Sequence, residues 1–273
     1  MTQVTLSNLV GKKLLGIAGA YNAQSNGMDV YICGVTVLTD SSLELLFANG
    51  HQLQPHQEVT VHLDNRTGVS EYDAELKVYR SSFKGIVNTV TSQKILLDAV
   101  DYEVYYGVET VKSFRKDGYH HPIDNRTAVN LPFSPLTEAP EIDHTENDNK
   151  IGVLLTFAEK QPHTTVMAFL SSVEDDIFFI TFPSTFKAKL LERNNQCYFA
   201  IDSRASFTFE HAIEWNYSII KGEVYEIPKN TPAFRQIQEL FIQKNPWEMG
   251  FFSHPEVTMY HVKATQVVCP KQE

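Results

Sequence analysis

Two hydroxyl residues and two lysines lie at the start of a short predicted helix, residues 184–194, between apolar runs at 176–182 and 196–201. Both runs have the length of a strand, so the helix opens directly from a strand. The first turn of a helix has N–H groups without helical partners and a partial positive charge, which suits a phosphate. Ser184 or Thr185 would cap the helix, and Lys187 would add a full charge beside the same point. The pattern indicates a seat for the phosphate of a nucleotide-like cofactor.

The same residues also suit an ordinary surface helix. Capping residues are common at helix starts. Phe186, Leu190 and Leu191 are spaced to pack inward while the lysines face water. The surrounding elements must decide between the two interpretations.

The composition is that of a globular protein rich in β structure. The chain has 273 residues, enough for one large domain or two of ordinary size. Its 17 Phe and 12 Tyr favour strands. A net charge of −10 disfavours a nucleic-acid surface and an anionic membrane, so neither is expected as a partner.

Location is predicted from what the sequence lacks. No run reaches the roughly 18 apolar residues that span a bilayer, and the N-terminus has neither the basic nor the apolar part of a signal peptide. Cys33, Cys197 and Cys269 are odd in number and widely spaced, so they indicate neither a disulfide framework nor a zinc site. We expect a reduced, cytoplasmic location.

An acidic stretch at 132–150 divides the chain. It contains three prolines and few large apolar residues, as linkers do. The division predicts an N-terminal domain at 1–131 and a C-terminal domain at 151–273, each of normal size. In the first, apolar or alternating runs separated by turn residues predict a small antiparallel β barrel or sandwich. Residues 87–100 suit either a strand or a helix.

The role of the N-terminal half is not readable from the sequence. The segment 64–68, Asp-Asn-Arg-Thr-Gly, faintly resembles the turn of cyclic-dinucleotide-binding barrels of the PilZ kind. The arginine-rich segment that precedes the turn in those proteins is absent here.

The C-terminal half predicts strands separated by two helices. The strands are expected at 151–158, 163–170, 176–182, 196–202, 215–227 and 257–268. The second helix begins with Thr231 as N-cap and Pro232 at the first helical position. Its residues Phe234, Ile237 and Leu240 then fall on one face, which indicates an amphipathic helix.

This order of elements resembles the FMN-binding split barrel of the pyridoxamine 5′-phosphate oxidase-like family over residues 151–268. Segments 152–156 and 161–166 resemble its opening hairpin, 176–181 the strand before its phosphate helix, and 217–224 its long strand with an internal glycine. Lys187, Leu191 and Asn194 fall where that helix carries the same residue types. The resemblance implies a mainly β protein, in which the N-terminal barrel or sandwich precedes a split β barrel with two helices.

The resemblance also implies a site. In that family FMN lies at a homodimer interface, with its phosphate at this helix and its ring against strand backbone. The implied phosphate residues are Ser184, Thr185, Lys187 and Lys189, and the implied ring-bordering residues are Thr164, Thr165 and Val166.

Two positions depart from the family pattern. Thr165-Val166 stands where many members have Arg-Pro, and Phe186 stands where an arginine often precedes the phosphate lysine. Each lost charge-assisted hydrogen bond should weaken phosphate binding by about 1.5–3 kcal/mol.

The function implied is a flavin-dependent oxidoreductase or flavin reductase acting on a small molecule, in which the flavin supplies the chemistry. The alternative is a non-enzymatic flavin-binding or ligand-sensing protein with a degenerate split barrel. FAD, a deazaflavin or an empty site remain alternatives to FMN. Haem is a further alternative, with candidate ligands His120, His121, His211, His254 and His261. The aromatic segments 207–211 and 246–252 suit a substrate pocket or, as large aromatics more often do, packing.

Overall fold

The computed structural model describes residues 4–22, 24–67, 77–119, 124–146, 150–202 and 217–268. The chain forms two compact units. The first contains the described residues of 1–123 together with Glu159–Thr164. The second contains those of 124–158, 165–202 and 216–268.

The first unit is a closed six-stranded antiparallel barrel with one added strand. Its elements are α1 (Leu6–Val10), β1 (Lys13–Tyr21), β2 (Met28–Thr39), β3 (Ser42–Leu46), β4 (Glu58–Asp64), β5 (Tyr79–Val90), β6 (Lys94–Tyr106) and β7 (Glu109–Arg115). The strand order is β3-β2-β1-β4-β5-β6-β7, and an additional pairing of β3 with β6 closes the barrel. The predicted N-terminal barrel is confirmed, and the ambiguous segment 87–100 is strand at both ends.

Alternation along β4 shows how the barrel is filled. Val59, Val61 and Leu63 point into the hydrophobic core. Thr60 lies on the other face and is also buried, because segment Glu159–Thr164 covers it. Thr60 Oγ1 donates to the Pro162 carbonyl over 2.7 Å, and Gln161 Nε2 donates to Thr60 Oγ1 over 3.0 Å. This short segment is therefore anchored to the barrel by buried hydrogen bonds.

The second unit is a seven-stranded sheet with helices packed on it. Its elements are β8 (Ile151–Thr156), β9 (His163–Ala168), β10 (Leu170–Ser171), β11 (Ile177–Thr181), α2 (Phe186–Leu191), β12 (Gln196–Asp202), β13 (Tyr217–Ile227), α3 (Pro232–Lys244), α4 (Met249–Phe252) and β14 (Thr258–Val268). The expected short helix and amphipathic helix are α2 and α3.

The sheet is curved into a half-barrel. Its strand order is β10-β11-β14-β13-β12-β8-β9, so β9 and β10 form its two edges. A single residue, Phe169, separates these strands in the chain, which brings the two edges together at that point. The mainly β fold, an N-terminal barrel followed by a half-barrel sheet, is confirmed, and the described part of the second unit contains the short α4 in addition to the two predicted helices.

The sheet of the second unit has a hydrophobic core on each face. One core includes Phe179, Phe199 and, from α2, Leu191. The other includes Phe178 together with the apolar face of α3. No helix in the described part of the chain combines the length and apolar character needed to cross a membrane.

Thr231 caps α3 as predicted: its Oγ1 accepts a hydrogen bond from Phe234 N over 3.2 Å, with Pro232 at the first helical position. Thr231→Ala should lower the free energy of unfolding by about 1 kcal/mol, because one helical N–H loses its acceptor. Urea unfolding followed by far-UV circular dichroism measures the change. Thr231→Ser keeps the acceptor and should behave like the wild type. Equal stability of the alanine and serine variants would contradict the capping role.

Candidate functional site

The junction between β11 and α2 is a tight, well-anchored turn. Thr185 N and Thr185 Oγ1 both donate to the Phe182 carbonyl, over 3.1 and 2.8 Å. Thr185 occupies the N-cap position with an extended backbone, but its side chain makes no cap hydrogen bond. The prediction that the Thr185 side chain caps the helix is therefore wrong, because its hydroxyl donates to the Phe182 carbonyl instead. The first hydrogen bond of the helical pattern runs from Lys189 N to Thr185 O over 3.2 Å.

The polar residues of this junction differ in exposure. Ser184 and Lys189 are exposed, whereas Thr185 and Lys187 are half-buried. Lys187 and Lys189 are two residues apart on one helix, so their side chains do not face each other. Thus α2 can present only one of the two lysines beside its first turn.

The apolar residues of α2 pack as expected with one exception. Leu190 and Leu191 are fully buried, but Phe186 is 38% exposed. Its ring therefore forms part of the surface at the start of α2.

The predicted ring-bordering residues lie on β9. The chain runs from β9 through β10 and then back along β11, which pairs antiparallel with β10. β9 itself lies at the opposite edge of the sheet, beside β8, and its residues Thr165 and Val166 are half-buried. Thr164 is placed differently, because it belongs to the first unit, where it is buried and its Oγ1 donates to Ser82 Oγ over 2.9 Å.

Three aromatic rings lie at the same junction, and we call them the aromatic surface: Phe182, Phe251 and His254. The Phe182 ring centroid is 4.9 Å from that of His254, edge to face, and 5.9 Å from that of Phe251. Phe251 and His254 are exposed. In the segment 246–252, Trp247 and Met249 are exposed as well, whereas Phe252 packs edge to face against Phe234 and Phe241 of α3, so the segment contributes to packing in part. The other aromatic segment, 207–211, lies outside the described residues.

The described candidate haem ligands differ in exposure and in their hydrogen-bond partners. His261 is 1% exposed, and both of its ring nitrogens have protein partners. His254 is exposed, and its Nδ1 accepts a hydrogen bond from Glu256 N over 3.2 Å. His120, His121 and His211 lie outside the described residues. Within the described ranges, no group of three or more His, Cys, Asp or Glu side chains could hold a metal ion.

A buried polar network in the second unit was not predicted from the sequence. His261 Nε2 lies 2.8 Å from Asp176 Oδ2, and His261 Nδ1 lies 2.9 Å from Ser134 Oγ. Asp176 Oδ1 also accepts from Ala264 N over 2.9 Å. The partners of His261 are 85 and 127 residues away in the chain, so no local spacing could reveal them. The sequence indicated only one member of the network, Asp176, as a charged residue directly before an otherwise apolar strand.

Comparison with known proteins yields likenesses of fold at low similarity. No family profile matches the sequence, and no curated protein matches it. A protein of unknown function from Agrobacterium tumefaciens is 16% identical with a TM-score of 0.38, over 44% of this chain and 50% of that one. The match thus spans about half the length of that protein.

Two further structures match a similar share of the chain. The heme storage protein HutZ from Vibrio cholerae is 13% identical with a TM-score of 0.40, over 45% of this chain and 87% of that one. A putative pyridoxamine 5′-phosphate oxidase from Listeria innocua is 16% identical with a TM-score of 0.32, over 44% and 86%. At these TM-scores the likenesses support no functional assignment.

Proposed function

We propose that the second unit binds FMN at the β11–α2 junction. The observation that carries this proposal is the junction itself, where Ser184 and Thr185 precede the first turn of the helix that follows β11 and Lys187 lies in that turn. The phosphate would be held by Ser184 and Lys187, with Lys189 a weaker contributor because it is on another side of α2. Thr165 and Val166 would border the ring.

The described side chains fit such a ligand in part. Exposed Ser184 makes no side-chain hydrogen bond to described residues and can donate to a phosphate. The Thr185 hydroxyl already donates its hydrogen bond to Phe182 O, so towards a ligand it can act only as a hydrogen-bond acceptor. The Thr164 hydroxyl donates to Ser82 Oγ within the first unit, so this side chain is not available to a ligand at the junction. The aromatic surface supplies rings on which a planar ligand can stack.

The proposed activity is electron transfer with a small molecule, as an oxidoreductase or flavin reductase. FMN would supply the redox chemistry when bound, and this chain would bind, orient and shield it. We further propose that the unit acts as a homodimer, with the exposed aromatic residues at the interface. Sedimentation velocity at micromolar concentration tests that point, and a monomer at all concentrations would contradict it.

FMN binding is tested by titrating FMN against the purified protein and following quenching of flavin fluorescence. Lys187→Ala should weaken binding at least tenfold, because a charge-assisted hydrogen bond of about 1.5–3 kcal/mol is lost. Riboflavin, which lacks the phosphate, should bind weakly to the wild type and should be unaffected by the substitution.

Lys189→Ala is the matched control on the same helix and should change FMN affinity much less than Lys187→Ala. Equal losses would contradict the assignment of the phosphate to the first turn. Failure of the wild type to bind FMN would overturn the flavin function. A sharp Soret band after addition of hemin would favour the haem alternative instead.

Turnover separates the enzymatic proposal from its alternative. The FMN-loaded protein should oxidise a reduced nicotinamide in the presence of a dye acceptor. Stable FMN binding without turnover would favour a non-enzymatic flavin-binding or sensing role, which the missing arginines at positions 165 and 186 also favour.

A further inference from the structure

Ser134 is held in a chain of hydrogen bonds that the proposed flavin function does not use. Ser134 Oγ lies 2.9 Å from His261 Nδ1, and His261 Nε2 lies 2.8 Å from Asp176 Oδ2. Ser134 is half-buried between exposed Phe133 and Pro135, while His261 is fully enclosed. Ser134 is therefore more exposed than His261, and the Asp176 side chain at the other end of this chain of hydrogen bonds is 13% exposed.

Backbone contacts fix the position of each member. Ser134 N donates to Glu226 O over 2.8 Å, which attaches the serine to β13. The imidazole ring stacks on Phe178, with centroids 5.1 Å apart. Asp176 is held by Ala264 N on one oxygen, and its own N donates to Ser172 Oγ over 3.1 Å. The three side chains are therefore pre-positioned with little freedom to rearrange.

The direction of proton donation follows from the chemistry of the groups. A carboxylate only accepts hydrogen bonds, so the His261 nitrogen facing Asp176 carries the proton. In a neutral imidazole the other nitrogen then accepts, and Ser134 must donate its hydroxyl proton to Nδ1. Leu136 N donates to the same Ser134 oxygen over 3.3 Å, which stabilises negative charge there. A serine hydrogen-bonded to a base that a carboxylate orients is the arrangement that activates a nucleophile.

We propose that Ser134 is an activated nucleophile that takes an acyl or phosphonyl group from activated esters and related electrophiles. With an ester, Ser134 Oγ forms the new bond to the carbonyl carbon, and the bond from that carbon to the leaving oxygen breaks. The hydroxyl proton passes to His261 Nδ1 and then to the departing alcohol, while Asp176 holds the imidazolium. With a fluorophosphonate, the new bond is to phosphorus, the P–F bond breaks and fluoride leaves, and the proton taken up by His261 passes to water. The ring is turned relative to the common serine hydrolases, with Nδ1 rather than Nε2 as the base.

The test is covalent labelling of the full chain with a fluorophosphonate probe, followed by peptide mass spectrometry. We expect one labelled residue, Ser134. Ser134→Ala should abolish the label, and His261→Gln should slow labelling at least about 100-fold, as loss of a general base does. Release of nitrophenol from p-nitrophenyl acetate should show one burst per chain in the wild type and none in Ser134→Ala.

Ser25→Ala serves as the matched control, because Ser25 is an exposed serine whose Oγ accepts from Gly27 N and which has no histidine partner among the described residues, so the variant should label like the wild type. Labelling elsewhere, or no labelling of the folded wild type, would overturn the proposal. If His261→Gln does not fold, the labelling rates of Asp176→Asn and Ser134→Ala, compared with that of the wild type, test the proposal instead. Equal labelling rates in wild type and a folded Asp176→Asn variant would also count against it.

Discussion

Asp176→Ala should lower the free energy of unfolding by about 2–6 kcal/mol, because two donors lose their acceptor at about 1–3 kcal/mol each. His261 is 1% exposed and would lose the acceptor of its Nε2 proton. Ala264 N would lose its acceptor as well. Each stranded donor keeps its desolvation penalty without a compensating hydrogen bond.

Urea unfolding followed by far-UV circular dichroism measures the loss, and hydrogen exchange assigns it to a region. Because the chain has two units, unfolding need not be two-state. Amide hydrogen exchange should speed up in β11, which begins directly after Asp176, and in β14, which contains His261. It should remain unchanged in the strands of the first unit. Uniform acceleration in both units would contradict a local role for the network.

The neighbouring carboxylate, Asp175, is the control for this substitution. Burial, followed by the negative charges of Asp143 and Asp176, raises the pKa of Asp175. Its ionised form is therefore disfavoured in the folded state, so it reduces stability above the raised pKa. That penalty vanishes as the pH falls below the ordinary value of about 4.

Asp175→Asn should accordingly leave stability unchanged or raise it slightly at pH 7, and the difference should disappear at acid pH. Asparagine also tolerates the positive φ of 64° at this position. A loss as large as that of Asp176→Ala would show that the acidic turn, rather than the His261 pair, is what stabilises the unit.

Gly222→Ala should lower the free energy of unfolding by about 3 kcal/mol, the upper end of the usual range for overpacking. A Cβ at Gly222 would lie 2.5 Å from Val262 Cγ1 and 2.6 Å from the Lys263 carbonyl oxygen. The second contact is with backbone, which cannot move aside as a flexible side chain can. The pairing of β13 with β14 also shifts register between Lys221 and Gly222, so the close approach occurs at a bulge.

Gly250→Ala is the matched glycine substitution. A Cβ at Gly250 would meet nothing within 4 Å, and the residue lies in α4. Alanine is favoured over glycine in a helix by up to about 1 kcal/mol, so this variant should be neutral or stabilised. Urea midpoints of the two variants measured side by side check the pair. Similar midpoints would contradict the steric reason given for Gly222.

Local patterns in the sequence predict much of the second unit. The cap and apolar spacing of α3 indicate a helix that the structure contains, beginning at Pro232. The apolar run before residue 184 corresponds to β11, and the short helix after it is α2. These features depend on neighbours within one or two turns of chain, so their signal is present in a short stretch of sequence.

Side-chain partners, in contrast, depend on the packed fold. The sequence places Thr185 at a helix start but contains no sign that its hydroxyl donates back to Phe182. It offers Thr164 as a ring-bordering residue, whereas the fold buries that side chain against Ser82. For the glycine in β13, the sequence leaves open whether a ligand or another strand approaches it, and the structure supplies β14.

The β-rich composition, the order of elements and the candidate phosphate residues all follow from the amino-acid sequence alone. The β3–β6 pairing that closes the first barrel and the meeting of the two sheet edges at Phe169 required the three-dimensional fold. So did the enclosure of His261 between Asp176 and Ser134. The reason is physical, because strand register and buried hydrogen bonds join residues far apart in the chain. Which strands pair, and which side chains form hydrogen bonds, depends on the residues that the packed core brings together.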